Sequence, residues 1–414
     1  MKKFLTLVVV IAISMGATAQ TMKVQSAYSD MKNKRLGYAV KNIEEAILHD
    51  DTKNDAKTWH YAGLIYASLL DAAVDKENEK FFKKQKVKYT AEELAEKAKN
   101  ALIRSIELEK ETKTYEYVRT NQITLNNVII SQLDFALNVF NNKRFEESIP
   151  LFQDIVNSSL VVGKAADEVS LKAKFCIALA YDYTKQKEKA AETYRDLVKS
   201  NSKEEAVYIN LFVHNKQAKE LDKAINVLKR GRVNLPNNHK IIALLSGAYQ
   251  ETGNKVESDK LVNELIEMAE KDTVPTEKSQ IYVLAGDAKR DGGSLEEAIA
   301  LYNKSLAIDD TQIEANFSLG VLYFNNAIDK LGEANNVPPT DRSGKYEALV
   351  AESKEKFKTA IPSFKKVLAK NPNHYATLNA LKTIYSRLEM KAEYQEVNAK
   401  IDAIIKASQA GTTN

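Results

Sequence analysis

Ala178, Phe212 and Ser246 stand 34 residues apart, and Ala190, Ala224 and Ser258 repeat that interval. Gly286 and Gly320 keep the same spacing, as do Ala360 and Tyr394. Self-similarity at a fixed period means that one supersecondary unit is stacked on copies of itself. Each unit reads as two amphipathic helices joined by a short polar turn, such as TKQK or RDGGS. Small residues in fixed columns let two helices cross at about 8 Å between axes. Large ones a turn away, Tyr181, Tyr249 and Tyr323 or Tyr194, Tyr302 and Phe364, fill the neighbouring grooves. One pair cannot bury its apolar face alone, so successive pairs stack into a solenoid. With 14 Gly, 7 Pro and few β-branched runs, the expected fold class is all-α.

These columns resemble the tetratricopeptide repeat. AKTWHYAGLIY supplies Trp59, Ala62, Gly63 and Tyr66, and ANFSLGVLY supplies Leu319, Gly320 and Tyr323. AIALYNKSLAID supplies Ala298, Tyr302 and Ser305, and the closing Pro falls at Pro236 and Pro372. The resemblance implies a right-handed α-α superhelix of eight to nine helix pairs spanning residues 20–408. The first pair is expected to be partial, contributing only LGYAVKNIEEAILHDD around Ala39, Ile43 and Ala46. The remaining first helices centre on Gly63, Ala136, Ala178, Phe212, Ser246, Gly286, Gly320 and Lys382. At Phe212 and Lys382 the column is not small, so looser or shifted crossings are expected there.

Two units are longer than the rest. Gly63 to Ala98 spans 35 residues and Gly320 to Ala360 spans 40, against 12 from Ala178 to Ala190. Inserted helical hairpins at about 67–90 and 326–355 account for the excess. The first carries a basic, aromatic run from Phe81 to Tyr89, read either as a contact for an acidic surface or as a hairpin with snorkelling lysines. The hairpin reading is preferred. The second turns at Pro338-Pro339. Pro150 is expected near a helix start and Pro362 at a kink. The layout, with an insertion near each end, resembles Sec-exported repeat proteins of Gram-negative bacteria.

MKKFLTLVVVIAISMGATAQ has a basic start, an apolar run and a small-residue Ala17-Thr18-Ala19 site. Residues 1–19 are therefore expected to be a secretory signal peptide, the run being short for a retained anchor. No lipid-attachment Cys is nearby and no later stretch is apolar enough for a membrane helix. A periplasmic or secreted location follows as an expectation, with envelope association a further one. Residues 409–414 are expected to be a disordered tail.

Sixty Lys and Arg against 56 Asp and Glu leave the chain near neutral, which gives a nucleic-acid role no support. The lone Cys176 lies in an apolar helical run and reads as a small buried hydrophobe. Five histidines show no ligand spacing, so no metal is expected. Gly292-Gly293 before Ser294 and Glu297 reads as a helix stop followed by a capping box rather than an anion nest. No P-loop, dinucleotide fingerprint or nucleophile elbow is present. The expectation is a non-enzyme with no cofactor.

Function then falls to the face lined by the first helix of each pair. Residues one beyond the packing column include His60 and Leu64, Leu133 and Leu137, Ile209 and Val213, Ala243 and Gly247, and Val283 and Asp287. The groove candidates are Phe140, Phe175, Tyr183, Lys216, Gln250, Arg290, Phe317 and Phe324. Relatives that clamp acidic peptide C-termini use Lys and Asn on this face, a set that this chain almost lacks. The expected function is an exported scaffold holding a segment of a protein partner through aromatic anchors. The alternative is a glycan- or small-ligand-binding receptor of the envelope, weakened by a single Trp, Trp59.

Overall fold

The computed structural model describes residues 20–75 and 79–410. The proposed signal peptide, residues 1–19, and the last four tail residues lie outside them. All regular elements among the described residues are helical. The chain divides into two units, Met1–Ser202 and Lys203–Asn414.

In the first unit, α1 (20–32) pairs with α2 (Leu36–Ala46). The opening pair is therefore complete, not partial. Its first helix escaped the sequence reading because only Val24 and Ala27 among its apolar positions are fully buried. Polar ties hold it, with Asp30 taking Arg35 at 2.6 Å and Asn42 at 3.1 Å. Next, α3 (Ala56–Val74) packs on α5 (Ala91–Thr112), with the short α4 (Glu79–Lys84) between them. The helices α6 (Val118–Asn141) with α7 (Phe145–Val162), and α8 (Asp167–Tyr183) with α9 (Lys187–Lys199), complete the unit. By length and composition the 24-residue α6 could cross a bilayer, but here its Leu125, Val128, Ile129, Leu133 and Ala136 are buried in the unit.

The second unit runs α10 (Glu205–Gln217), α11 (Leu221–Asn234), α12 (His239–Glu251), α13 (Lys255–Lys271), α14 (Pro275–Asp291) and α15 (Leu295–Ile308). It closes with α16 (Ile313–Asn335), α17 (Lys345–Lys370), α18 (Tyr375–Arg387) and α19 (Lys391–Ala410). Consecutive helices pair, and first helices also touch first helices: α10 on α12, α12 on α14, α14 on α16. That second set of contacts gives the first helices a shared face.

The small-against-large interlock is explicit. A Cβ built on Gly286 would stand 2.7 Å from the Tyr302 ring, and one on Gly320 would stand 2.7 Å from Phe364. Tyr302 and Phe364 are fully buried, each ring stabilising the fold by about 1.5–3 kcal/mol. Both predicted irregular crossings have specific substitutes. At α10 the polarity reverses: Tyr208 of the first helix fills the space left by Gly231 of the second, at 2.9 Å from a built Cβ, and its hydroxyl accepts from Asn234 at 2.7 Å. At α18, half-buried Lys382 sets its ammonium 5.7 Å from the centre of the Tyr394 ring, a cation–π contact in place of an interlock.

The local expectations fare differently. Pro150 is the sixth residue of α7, past the first turn, so it does remove one helical hydrogen bond. Pro362 lies inside α17, with Ala360 and Phe364 on either side fully buried. Ser294 precedes α15 but makes no side-chain cap, and Glu297, the other half of the expected capping box, pairs with Lys289 at 2.8 Å. The tail is shorter than expected, since α19 reaches Ala410. The first insertion is only partly a hairpin: α3 is prolonged to Val74, but α4 has one turn and a half and residues 87–90 are non-helical. Cys176 is buried, and burial pushes its thiol up to about 11, which leaves it unreactive.

Candidate functional site

Within the second unit a cavity of about 640 Å³ opens on the shared face of α10, α12 and α14. Its apolar floor comprises Ile209 and Phe212 from α10, Ala243, Leu244, Gly247 and Ala248 from α12, and Leu284 and Ala288 from α14. These recur at helical spacing, so each helix turns a short apolar stripe towards the same space. Three of the four on α12, Ala243, Gly247 and Ala248, are small, which is why the space persists.

Gly247 is the informative one. It sits mid-helix, where Gly costs about 1 kcal/mol relative to Ala. A Cβ built on it meets nothing within 4 Å. Unlike Gly286 and Gly320, no neighbour requires its bareness; what it leaves bare is cavity floor.

The rim is charged but internally compensated. Lys216 bonds Glu251 at 2.7 Å and lies 6.0 Å from the Phe212 ring centre. Lys240 bonds Glu205 at 2.8 Å, and Asn238 donates to the other oxygen of that carboxylate at 2.6 Å. Burial would raise Glu205, but these two donors outweigh it and hold the carboxyl below its ordinary value. On α14, Asp287 Oδ1 accepts from Arg290 at 2.7 Å, Tyr302 at 2.7 Å and Ser318 at 3.1 Å. Burial first, then the Asp287 charge, pushes the Tyr302 phenol far above its usual range, so it remains a donor. Arg290 reaches Asp291 as well, at 3.0 Å. Gln250 Oε1 is shut off from solvent and has no hydrogen-bond partner among the described residues, and the amide nitrogen abuts Gly292.

Of the sequence candidates, Lys216, Gln250 and Arg290 meet on this one cavity, together with Asp287, Ala243 and Gly247. The aromatic candidates do not line it. In the first unit Tyr183, although 61% exposed, stacks on Phe145 at 4.4 Å, and Phe140 meets Phe145 edge-on at 5.1 Å. Phe175 leans on Tyr194 at 6.4 Å. In the second unit Phe317 sits edge-on to His374 at 4.9 Å and Phe324 packs on Phe357 at 5.6 Å. These rings have ring neighbours that cover part of their faces. Leu244, Leu284 and Lys240 were missed by sequence reasoning; they flank the expected column by one turn and carry no signal of their own. Trp59, which a sugar site would want exposed, is half-buried and donates its indole N–H to Lys53 O at 2.6 Å.

Such a lining can bind but holds no paired nucleophile and base. An apolar floor bordered by neutralised ion pairs suits an apolar side chain with polar backbone on either side.

A family model described as the TPR repeat matches residues 286–326, covering α15 with the end of α14 and the first part of α16. The match marks a tetratricopeptide repeat within this stack of helix pairs. The chain is similar to a tetratricopeptide repeat protein of Parabacteroides merdae, at 12% identity over 62% of this chain and 98% of that one, with a TM-score of 0.39. It is also similar to a TPR repeats protein of Bacteroides fragilis, at 16% identity over 62% and 98%, with a TM-score of 0.25. A third similar structure is YrrB, a TPR protein with an unusual peptide-binding site, at 13% identity over 45% and 89%, with a TM-score of 0.33. At these scores the likenesses carry no weight for ligand or partner. A search of curated proteins gave no match.

Proposed function

We propose that the protein is an exported scaffold that holds an extended segment of a protein partner on the α10–α12–α14 face. The observation that carries this reading is Gly247, a mid-helix glycine whose missing side chain no packing neighbour explains. A partner backbone or apolar side chain lying over it has the close approach that only a bare helix allows. Lys216, Glu251, Asp287 and Arg290 border the same floor and give polar contacts at its edge. Export rests on residues 1–19 alone, and a mature chain beginning near Gln20 is the matching expectation.

A photo-crosslinking residue at Ala243, compared with one at Val233, which is 80% exposed on α11, tests the face directly. Cross-linked partner from position 243 only, abolished by adding Gly247→Leu, is the expected result. Equal yield from both positions, or yield indifferent to Gly247→Leu, refutes the groove.

A further inference from the structure

The first insertion holds a second surface, unrelated to the groove above. After α4 ends at a left-handed Lys86 (φ 54°), the chain runs along α2 and is pinned at several points. Gln85 Oε1 accepts from Gly37 N at 3.2 Å, and the Tyr89 hydroxyl bonds Glu44. Phe82, Val87 and Tyr89 pack against the core of the first unit. Val87 and Tyr89 are half-buried while Lys86 and Lys88 are exposed, the alternation of an extended segment. Between this segment and α2 lies a cleft of about 420 Å³ with Val40, Leu48 and Val87 as its apolar part.

Its charges are unbalanced. Lys41, Lys86 and Lys88 line it without an ion-pair partner among the described residues. The two acids of the lining are already engaged: Glu44 by Tyr89, Tyr66 and Lys97, and Glu45 by Lys23. Among the described residues, the backbone N–H and C=O groups of Val87, Lys88 and Tyr89 also have no backbone partner. An exposed extended edge of this kind pairs with another extended backbone.

We infer that this cleft docks an acidic, extended segment of a partner protein. Its carboxylates would meet Lys41, Lys86 and Lys88, an apolar side chain would rest on Val40 and Leu48, and its backbone would lie along Val87–Tyr89. Leu48, 80% exposed beside these lysines, is the apolar anchor that such a segment would cover.

The test titrates the full mature chain with a labelled peptide alternating Glu and Val, a Lys–Val peptide, and anionic phospholipid vesicles. Binding of the Glu–Val peptide alone is expected, weakened about tenfold by Lys86→Glu with Lys88→Glu and several-fold by the milder Lys86→Gln with Lys88→Gln. Raising salt from about 50 to 200 mM should weaken it as well. Leu48→Ser, at an exposed site, should weaken binding without removing the salt dependence. Binding of vesicles with no peptide binding overturns the inference, as does peptide binding unchanged in both lysine variants. Gly247→Leu should leave this binding intact, so failure here and failure of the groove are read separately.

Discussion

The first-helix faces of α6 and α12 descend from the same column yet do opposite things. On α6 the residues one beyond the column are Leu133 and Leu137, packed into a cluster with Phe140, Phe152 and Ile177. On α12 they are Ala243 and Gly247, and they open onto a cavity. Apolar spacing is the same in both; side-chain volume differs. In a stack of helix pairs, periodicity decides which face turns inward, and residue size decides whether that face becomes core or surface.

Removing a large partner from an interlock should give the largest effect. Phe364→Ala empties the space beside Gly320 and should cost about 3–5 kcal/mol, read by denaturant unfolding. Filling the small side of that joint comes next. Gly320→Val forces a Cβ to within 2.7 Å of the Phe364 ring and should cost about 1–3 kcal/mol. Gly247→Ala sharpens the contrast because it should act in the other direction, stabilising by about 0.5–1 kcal/mol. If Gly247→Ala destabilised as Gly320→Val does, the two glycines would share one role and the distinction between joint and floor would fail.

The smallest effect separates the units by pH. His60 is buried, bonded through Nδ1 to Asn121 at 2.6 Å and stacked on Tyr117 at 4.3 Å. Burial lowers its pKa below the ordinary histidine value, against raising contributions from Asn121 and Glu109. The unfolded chain therefore takes up this proton first, and stability falls as pH drops below about 6.5. Melting of the first unit, followed at pH 7.5 and about 5.5, should shift downward in acid, and His60→Gln should reduce that shift. An unchanged shift in His60→Gln would assign the acid sensitivity elsewhere.

The repeat was legible because small and large residues recur at a fixed interval, and such columns mark packing more reliably than any single residue. The aromatic candidates lie off the α10–α12–α14 cavity for a related reason. Tyr183 and Phe317 have the spacing of the inner face, but whether a ring meets solvent or another ring depends on residues far along the chain, Phe145 and His374. Register alone brings Lys216, Gln250 and Arg290 to one cavity, whereas the openness of the floor needed Gly247 to be seen against its empty surroundings. The opening helix and the path of Lys86–Tyr89 were hidden because polar ties and a few buried side chains hold them, and neither leaves a period.

The reversed joint at Tyr208 and Gly231 carries one more consequence. What these coils share is a total width at the seam, and either timber may bear the tenon so long as the other is cut to receive it. A pattern that looks for the notch always in the same beam passes over such a seam, so this architecture extends further than its motif.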